Sequence, residues 1–286
     1  MLNTIFFFSG TGNTKLIAEK ICDAFEEKGE EANCYAIENF YHHNIVDFNR
    51  IGIGFPIYAF AMPDIMADFI KALPFAKGRE AFIFSTAGDP SRVNHVGLTK
   101  AKELLKLKGY KVIYERPFVM GCNFLIPYSD VFIKQLASIN ESKIEVMVND
   151  ILTDKQRHVK NNLIYYIIMS KLHFLEENFG AKFFGLGLTT NDSCILCNKC
   201  VRTCPTKNIS QENDKIVFSK DCIFCMRCMY ICDRNAIHPR FFGSIMLKKG
   251  YNLMEVLNDD EISINNYVLE DKYKKRFSNY FNNIES

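Results

Sequence analysis

Eight of the eleven cysteines fall between residues 194 and 232. They read Cys194-Ile-Leu-Cys197-Asn-Lys-Cys200-Val-Arg-Thr-Cys204-Pro205, then, after a short gap, Cys222-Ile-Phe-Cys225-Met-Arg-Cys228-Met-Tyr-Ile-Cys232. Three thiols spaced two residues apart can be delivered to one centre by a single turn of chain, and a fourth must come from elsewhere; this is the spacing that cubane iron–sulfur clusters ask for. Zinc also uses paired C-x2-C hooks, but a zinc knuckle takes two cysteines per hook, not three plus a fourth, twice over. Disulfides would suit a small secreted domain, and nothing in the chain marks secretion. Every ligand position is filled in both halves, so the loss of one centre is not indicated.

A second kind of chemistry sits near the N-terminus. The apolar run from Leu2 to Phe8 reads as a buried strand and empties into Ser9-Gly10-Thr11-Gly12-Asn13-Thr14. Helical periodicity then runs from Lys15 to Lys28, closed by Gly29. A strand feeding a glycine and hydroxyl loop that opens a helix is an anion site, because free N–H groups and the positive end of the helix dipole face the ligand. A nucleoside triphosphate loop would need a second glycine directly before Lys15, and a dinucleotide fingerprint would need a third glycine. Neither is present, and a phosphate monoester fits the short loop best.

Residues 185 to 240 resemble the bacterial-type ferredoxins that carry two [4Fe-4S] clusters. The resemblance implies one cluster on Cys194, Cys197, Cys200 and Cys232, and a second on Cys222, Cys225, Cys228 and Cys204, each half lending its last cysteine to the other. Pro205 turns the chain away from the site and removes a donor. Asp233 stands in the matching place of the second half, which alters the local turn and leaves the thiol. The N-terminal loop is similar to the phosphate loop of flavodoxins, which implies FMN with its phosphate on Ser9, Gly10, Thr11, Gly12, Asn13 and Thr14. The same resemblance puts Pro56, Ile57, Tyr58, Ala59 and Phe60 on one side of the isoalloxazine ring. Thr86, Ala87, Gly88 and Asp89 fall on the other, with backbone amides to the pyrimidine edge. Tyr58 is the aromatic expected to stack, with Phe60 or Met62 as rivals, since the chain contains no Trp.

The elements that must hold these residues arrive in a matching order. Strands are expected at Asn33 to Ile37, Ile51 to Phe55, Ala81 to Ser85 and Tyr110 to Pro117. Helices are expected at Asp64 to Leu73, capped by Asp64 behind Pro63, and at Asn94 to Lys108. Gly52 and Gly54 lie inside an apolar strand and read as close packing, not as a second nucleotide motif. The alternation gives an α/β fold: a flavodoxin-like, doubly wound, five-stranded parallel sheet, plus a small α+β domain for two [4Fe-4S] clusters. Met120 to Phe124 is expected to loop over the flavin. Two helical stretches, about Ser129 to Leu152 and Asp154 to Asn178, would close the sheet and connect the modules. The domains are then residues 1–180 (FMN-binding, with connector), 185–240 (ferredoxin) and 241–286 (a helical extension, with Ile264 to Ile284 as a charged amphipathic helix).

The bulk properties fit a chain of this kind. Its 286 residues suit two domains, and a formal net charge of +2 is too small to steer nucleic acid. Between residues 190 and 240 eight Lys or Arg stand against five acids, a face that could favour an acidic redox partner or simply be solvated. The most apolar helical candidate, Leu163 to Met169, is too short to span a bilayer and reads as a buried helix face. No basic leader is evident, and thiolate clusters need a reducing compartment, so a cytoplasmic location is expected. His42-His43 reads as an exposed loop pair, and Cys22, Cys34 and Cys122 as ordinary core thiols.

FMN holds one or two electrons while each cluster passes one, so a chain with both converts between the two kinds of traffic. The arrangement is similar to the fused flavodoxin and ferredoxin proteins of anaerobic bacteria and archaea. It implies either an oxidoreductase in which the flavin serves a small-molecule acceptor, or a non-enzymatic carrier between redox protein donors and acceptors. A redox sensor is the third possibility. Oligomeric state is not legible.

Overall fold

The structure is a computed structural model that describes residues 1–39, 48–160, 162–241, 243, 247, 251–264 and 269–285. His42-His43 lies outside the described residues.

The first 152 residues build one sheet and its helical cover. In chain order these are β1 (Leu2–Phe7), α1 (Asn13–Glu27), β2 (Glu31–Ala36), β3 (Arg50–Pro56), α2 (Asp64–Ala72), β4 (Glu80–Ala87), α3 (His95–Leu107), β5 (Lys111–Val119) and α4 (Asp130–Leu152). The five strands are all parallel, in the order β2-β1-β3-β4-β5. Parallel strands are covered on both faces, so their side chains divide by twos between two cores. Ile5, Phe7, Phe82 and Phe84 point toward α1 and α4, while Phe6, Phe8, Ile51, Ile53 and Phe55 point toward α2 and α3. Gly52 and Gly54 are where close packing requires them: a Cβ on either would lie 2.4 or 2.2 Å from the Phe82 or Phe84 ring.

Several boundaries differ from the sequence reading, each for a local reason. Asp64 is the first residue of α2 and not its cap, which is Pro63; its carboxylate is instead taken by Lys100, 2.8 Å away. The connector helix does not begin at Asp154. Residues near Arg157 run along the open edge of β5, with Glu115 N donating to Arg157 O and Arg157 N to Ile113 O, and so pair backbone groups an edge strand leaves free. The helix α5 (Leu163–Leu175) starts only after Asn162, whose side-chain oxygen accepts from Ile164 N and Tyr165 N. A π turn (Glu176–Gly180) and α6 (Ala181–Leu186) complete the connector. Leu163 to Met169 is not a buried face: Leu163 is 72% and Ile164 64% exposed, and His173 is the buried residue of α5. No described helix is long and apolar enough to cross a membrane.

The cysteine region folds as β6 (Leu188–Thr190), α7 (Lys199–Thr203), β7 (Ile209–Glu212), β8 (Lys215–Phe218), α8 (Arg227–Tyr230) and β9 (Ile237–Pro239). β6 pairs with β9 and β7 with β8, both antiparallel. The extension adds α9 (Leu253–Asn258) and α10 (Asp271–Asn282), the latter shorter than the helix expected over 264–284. Its apolar side packs on α4, where Tyr273 stacks on the fully buried Phe132 with ring centroids 3.9 Å apart.

Candidate functional site

Three strand ends converge on one cleft of about 470 Å³, within the range of small-ligand sites. It is lined by Ser9, Gly10, Thr11, Asn13 and Thr14 after β1, by Pro56, Ile57, Tyr58, Ala59 and Phe60 after β3, and by Thr86, Ala87, Gly88 and Asp89 after β4. Gly12, the remaining residue expected here, faces a larger groove of about 1090 Å³ on the other side of the same loop, against α7. The smaller cleft is the one in which all three loops meet, as ligand sites of doubly wound sheets require.

The loops are held in place by polar contacts. Gly12 takes φ +99°, a conformation that favours glycine, and its N–H donates to Ser9 Oγ at 3.2 Å. It leads directly into α1, which has no side-chain cap, so amides of the first helical turn are left for an anion. Thr14 and Thr86 join the first and third loops through a 2.7 Å hydroxyl contact. After β3, Tyr58 and Ala61 exchange both backbone hydrogen bonds at 3.0 Å, and Ala59 and Phe60 between them take φ 41° and 70°. Such left-handed backbone costs non-glycine residues about 1–3 kcal/mol each and gathers at ligand sites.

Of the loop expected over Met120 to Phe124, Met120 is buried in the core and Gly121 to Ile126 form the cleft wall, drawn in by Asn13 Nδ2 donating to Gly121 O and Asn123 Nδ2 to Thr11 Oγ1. Cys122 is therefore not a core thiol; it is half-buried in the cleft wall and donates to Phe124 O. Cys22 is buried, whereas Cys34 is half-buried and lines the larger groove. Sequence reasoning missed Asn94, Tyr128, Glu176, Phe224 and Arg276, which also line the cleft. They come from distant elements, and all but Phe224, which stands inside the Cys222-x-x-Cys225 run, belong to no motif. Arg276 of α10 reaches Asp89 at 2.7 Å, and Tyr128 donates to Gly88 O. Burial pushes the Glu176 carboxyl up to about 7, and Glu177 adds to the shift while His173 opposes it.

The eight cysteines gather into two nests. Cys194, Cys197, Cys200 and Cys232 line one cavity of about 290 Å³; Cys204, Cys222, Cys225 and Cys228 line a second, tighter one of about 20 Å³. The two halves repeat at an offset of 28 residues, in backbone as well as in cysteines: Leu196 and Asn198 are left-handed in the first, Phe224 and Met226 in the second. Alternating right- and left-handed residues turn successive N–H groups into a concavity of the kind that holds iron–sulfur centres. The sulfurs accept accordingly, from Asn208 N at Cys204 (3.2 Å), Ala236 N at Cys232 (3.4 Å) and Phe224 N at Cys222 (3.5 Å). Burial pushes the Cys222 thiol up to about 12 and raises Cys200, Cys225 and Cys228 as well. Thiols crowded into one buried nest ionise together only around a cation, which is what a cluster core provides.

The second nest abuts the cleft. A Cβ on Gly10 would lie 2.4 Å from both Cys225 O and the Tyr58 hydroxyl. That hydroxyl is turned inward and buried without a hydrogen-bond partner, and burial raises its pKa well above the ordinary range. Phe224, between two cysteines of the nest, lines the cleft and packs edge-on against Phe124 at 4.8 Å. Arg227 clips the modules together, donating to Ser9 O (2.6 Å), Gly10 O (3.4 Å), Thr203 O (2.9 Å) and Glu38 (2.5 Å).

A flavodoxin domain model matches residues 4–108 and a 4Fe-4S dicluster domain model residues 188–233. No curated protein matches the chain significantly. Similar solved structures include a flavodoxin from the domain Archaea (17% identity, 52% of this chain and 99% of that one, TM-score 0.37). Two others are the two-electron reduced flavodoxin of Megasphaera elsdenii (24% identity, 42% and 85%, TM-score 0.37) and the Fusobacterium nucleatum flavodoxin bound to flavin mononucleotide (14% identity, 54% and 98%, TM-score 0.38). The chain is thus a flavodoxin domain and a 4Fe-4S dicluster domain joined in one electron-transfer polypeptide, whose cofactors are FMN and iron–sulfur clusters.

Proposed function

We propose that the protein is a cytoplasmic flavin and iron–sulfur oxidoreductase that links one-electron redox partners to FMN through two [4Fe-4S] clusters. Cys194, Cys197, Cys200 and Cys232 would hold the outer cluster, and Cys222, Cys225, Cys228 and Cys204 the inner one. The observation that carries the reading is the seam at Gly10, where the inner nest touches the flavin loop with no room for a methyl group. FMN supplies exchange of one or two electrons, and each cluster supplies single-electron exchange.

The chain's own residues have distinct parts in this. The amides of residues 10–14 bind the phosphate, and the loops after β3 and β4 grip the ring on its two sides. Tyr58 and Phe224 fill the space between cleft and inner nest and keep water out of it. The outer nest is where a partner protein docks: Cys197 and Ile195 are exposed there, and Arg202 offers positive charge to an acidic surface, whereas Lys199 is already paired with Asp233 at 3.0 Å. The domain limits follow, with residues 1–180 for the flavin, 185–240 for the clusters and 241–286 as a brace.

Anaerobic purification should yield about eight irons and one FMN per chain, as two cubane clusters and one flavin require. Rapid mixing with a low-potential one-electron donor should then reduce the clusters ahead of the flavin. Flavin reduction that is equally fast in Cys197→Ala and Cys225→Ala variants would overturn the route. Steady turnover of small acceptors identifies an oxidoreductase; exchange with redox proteins alone identifies a carrier.

A further inference from the structure

Behind the flavin loop lies a cluster that the electron route does not use. Three residues from separate elements meet there: Asp64 at the start of α2, His173 near the end of α5, and Glu177 in the π turn. One ligand atom from each falls within 4.8 Å of the others. The His173 side chain is 6% and that of Glu177 13% exposed.

The hydrogen bonding around these groups leaves two atoms unsatisfied. His173 Nδ1 lies 3.1 Å from Tyr58 O, and a carbonyl only accepts, so Nδ1 carries a proton, and in the tautomer that binds a metal it carries the ring's only one. Nε2 then presents a lone pair. It faces Glu177 Oε2 at 2.8 Å, and both atoms are buried without a hydrogen-bond partner, because the approach lacks the alignment a hydrogen bond needs. A lone pair against a carboxylate oxygen at that distance is repulsive; a cation bound by both relieves it, as a second proton on the ring also would. The other carboxylate oxygen, Oε1, is already held by Asp64 N at 3.1 Å.

This is the donor pattern of a metal centre. A ligating imidazole is commonly fixed by its other nitrogen donating to a carbonyl, and ligating carboxylates are themselves hydrogen-bonded. Two carboxylates against the single ammonium of Lys100, 2.8 Å from Asp64 Oδ1, leave the site net negative. One imidazole with two carboxylates suits a divalent transition ion better than Mg²⁺ or Ca²⁺, which prefer all-oxygen sites. We propose that Asp64, His173 and Glu177 bind one divalent transition-metal ion, such as Zn²⁺ or Fe²⁺. The ion clamps the connector to the backbone of the loop that carries Tyr58. The site is independent of the electron route proposed above and stands or falls separately from it.

Zinc binding tests this directly. The anaerobic holoprotein is treated with a chelator, given one equivalent of Zn²⁺ and passed through a desalting column. Zinc and iron are then counted, and the zinc is examined by X-ray absorption. Wild type should keep one Zn²⁺ with its iron count unchanged, and the zinc should show nitrogen and oxygen ligands at about 2.0–2.2 Å and no sulfur at about 2.3 Å. His173→Gln should keep none, and Asp64→Asn, at the exposed edge, should weaken binding by at least about 10–100-fold. Should His173→Gln fail to fold, Asp64→Asn decides alone. No retained zinc in wild type, zinc on sulfur, or binding unchanged by Asp64→Asn would overturn the proposal; the first of these would mark the pair as a plain imidazolium–carboxylate contact.

Discussion

Arg227 makes the sharpest quantitative test of how the two modules are joined. Arg227→Met keeps an unbranched stem beside the Phe8 ring, over which the guanidinium carbon now lies 5.5 Å from the centroid. It removes contacts to Ser9 O, Gly10 O, Thr203 O and Glu38. The arginine side chain is 20% and that of Glu38 16% exposed, and Glu38 Oε2 already lacks a partner. Breaking a fully buried pair costs about 3–5 kcal/mol because a charge is left stranded; with part of this pair in water, about 2–4 kcal/mol is expected. At a slope of about 2–3 kcal/mol per molar, that lowers the urea midpoint by about 1 M. Unfolding is followed anaerobically by flavin fluorescence and by cluster absorption. The two signals should lose their coincidence in the variant, with clusters and flavin leaving at different urea concentrations. In a double-mutant cycle with Glu38→Gln the coupling should reach about 1–3 kcal/mol. A shift inside the ±0.5 kcal/mol or so typical of surface changes, or strict additivity, would show that the clip contributes nothing.

Four further outcomes are expected. Gly10→Ala must move its neighbours by about 1 Å to relieve 2.4 Å contacts, an overpacking cost of about 1–3 kcal/mol, so the FMN Kd should rise about 5–150-fold; an unchanged Kd with both clusters kept would refute the tight seam. Cys204→Ser and Cys232→Ser should each halve the iron content while sparing flavin; Cys204→Ser should leave an outer cluster that the donor still reduces but that passes electrons to the flavin slowly, whereas Cys232→Ser should slow reduction at the entry step, and fast flavin reduction from the outer cluster of Cys204→Ser would refute the assigned order. Glu176, raised from 4.5 to about 7 by burial, binds its proton more tightly when folded, so its contribution is complete below about pH 4.5, declines as pH rises, and is gone above about pH 7. The holoprotein Tm should therefore fall between pH 5 and 7 relative to Glu176→Gln, and a pH-independent difference would refute this. Tyr273→Ala removes the ring stacked on Phe132 and should cost about 3–5 kcal/mol, or roughly 6–20 °C in Tm; a thermal melt within a degree of wild type would deny α10 its bracing role.

How far the sequence could be read depended on whether an interaction is local. The C-x-x-C-x-x-C runs and the Ser9 to Thr14 loop announce themselves because each is one turn of chain whose spacing is set by the ligand. The apolar run from Leu2 to Phe8 and the strand glycines Gly52 and Gly54 were legible for the same reason, since a strand covered on both faces is a short continuous apolar segment. What stayed hidden depends on docking. Nothing near Arg227 says that it reaches Ser9, and nothing near Phe224, Glu176 or Arg276 says that they wall the cleft at the strand ends. Leu163 to Met169 is apolar enough to be buried by any sequence measure, yet α5 leaves most of these side chains exposed and reaches the sheet domain through Tyr166 on Glu103 and His173 on Tyr58 O. The start of that helix was misplaced because the preceding residues satisfy the β5 edge, a demand set by the sheet and not by their own types.

The exchange of a cysteine between the halves has a consequence for biogenesis. Neither 28-residue half holds four thiols facing one centre, so the unit cannot be matured piecemeal. The outer cage lacks its last wall until Cys232 has left the ribosome, long after the flavin fold could have formed upstream. Loading of the outer cage would therefore have to wait for Cys232. A proteolytic nick between Cys204 and Cys222 would spoil both cages at once rather than release one working half.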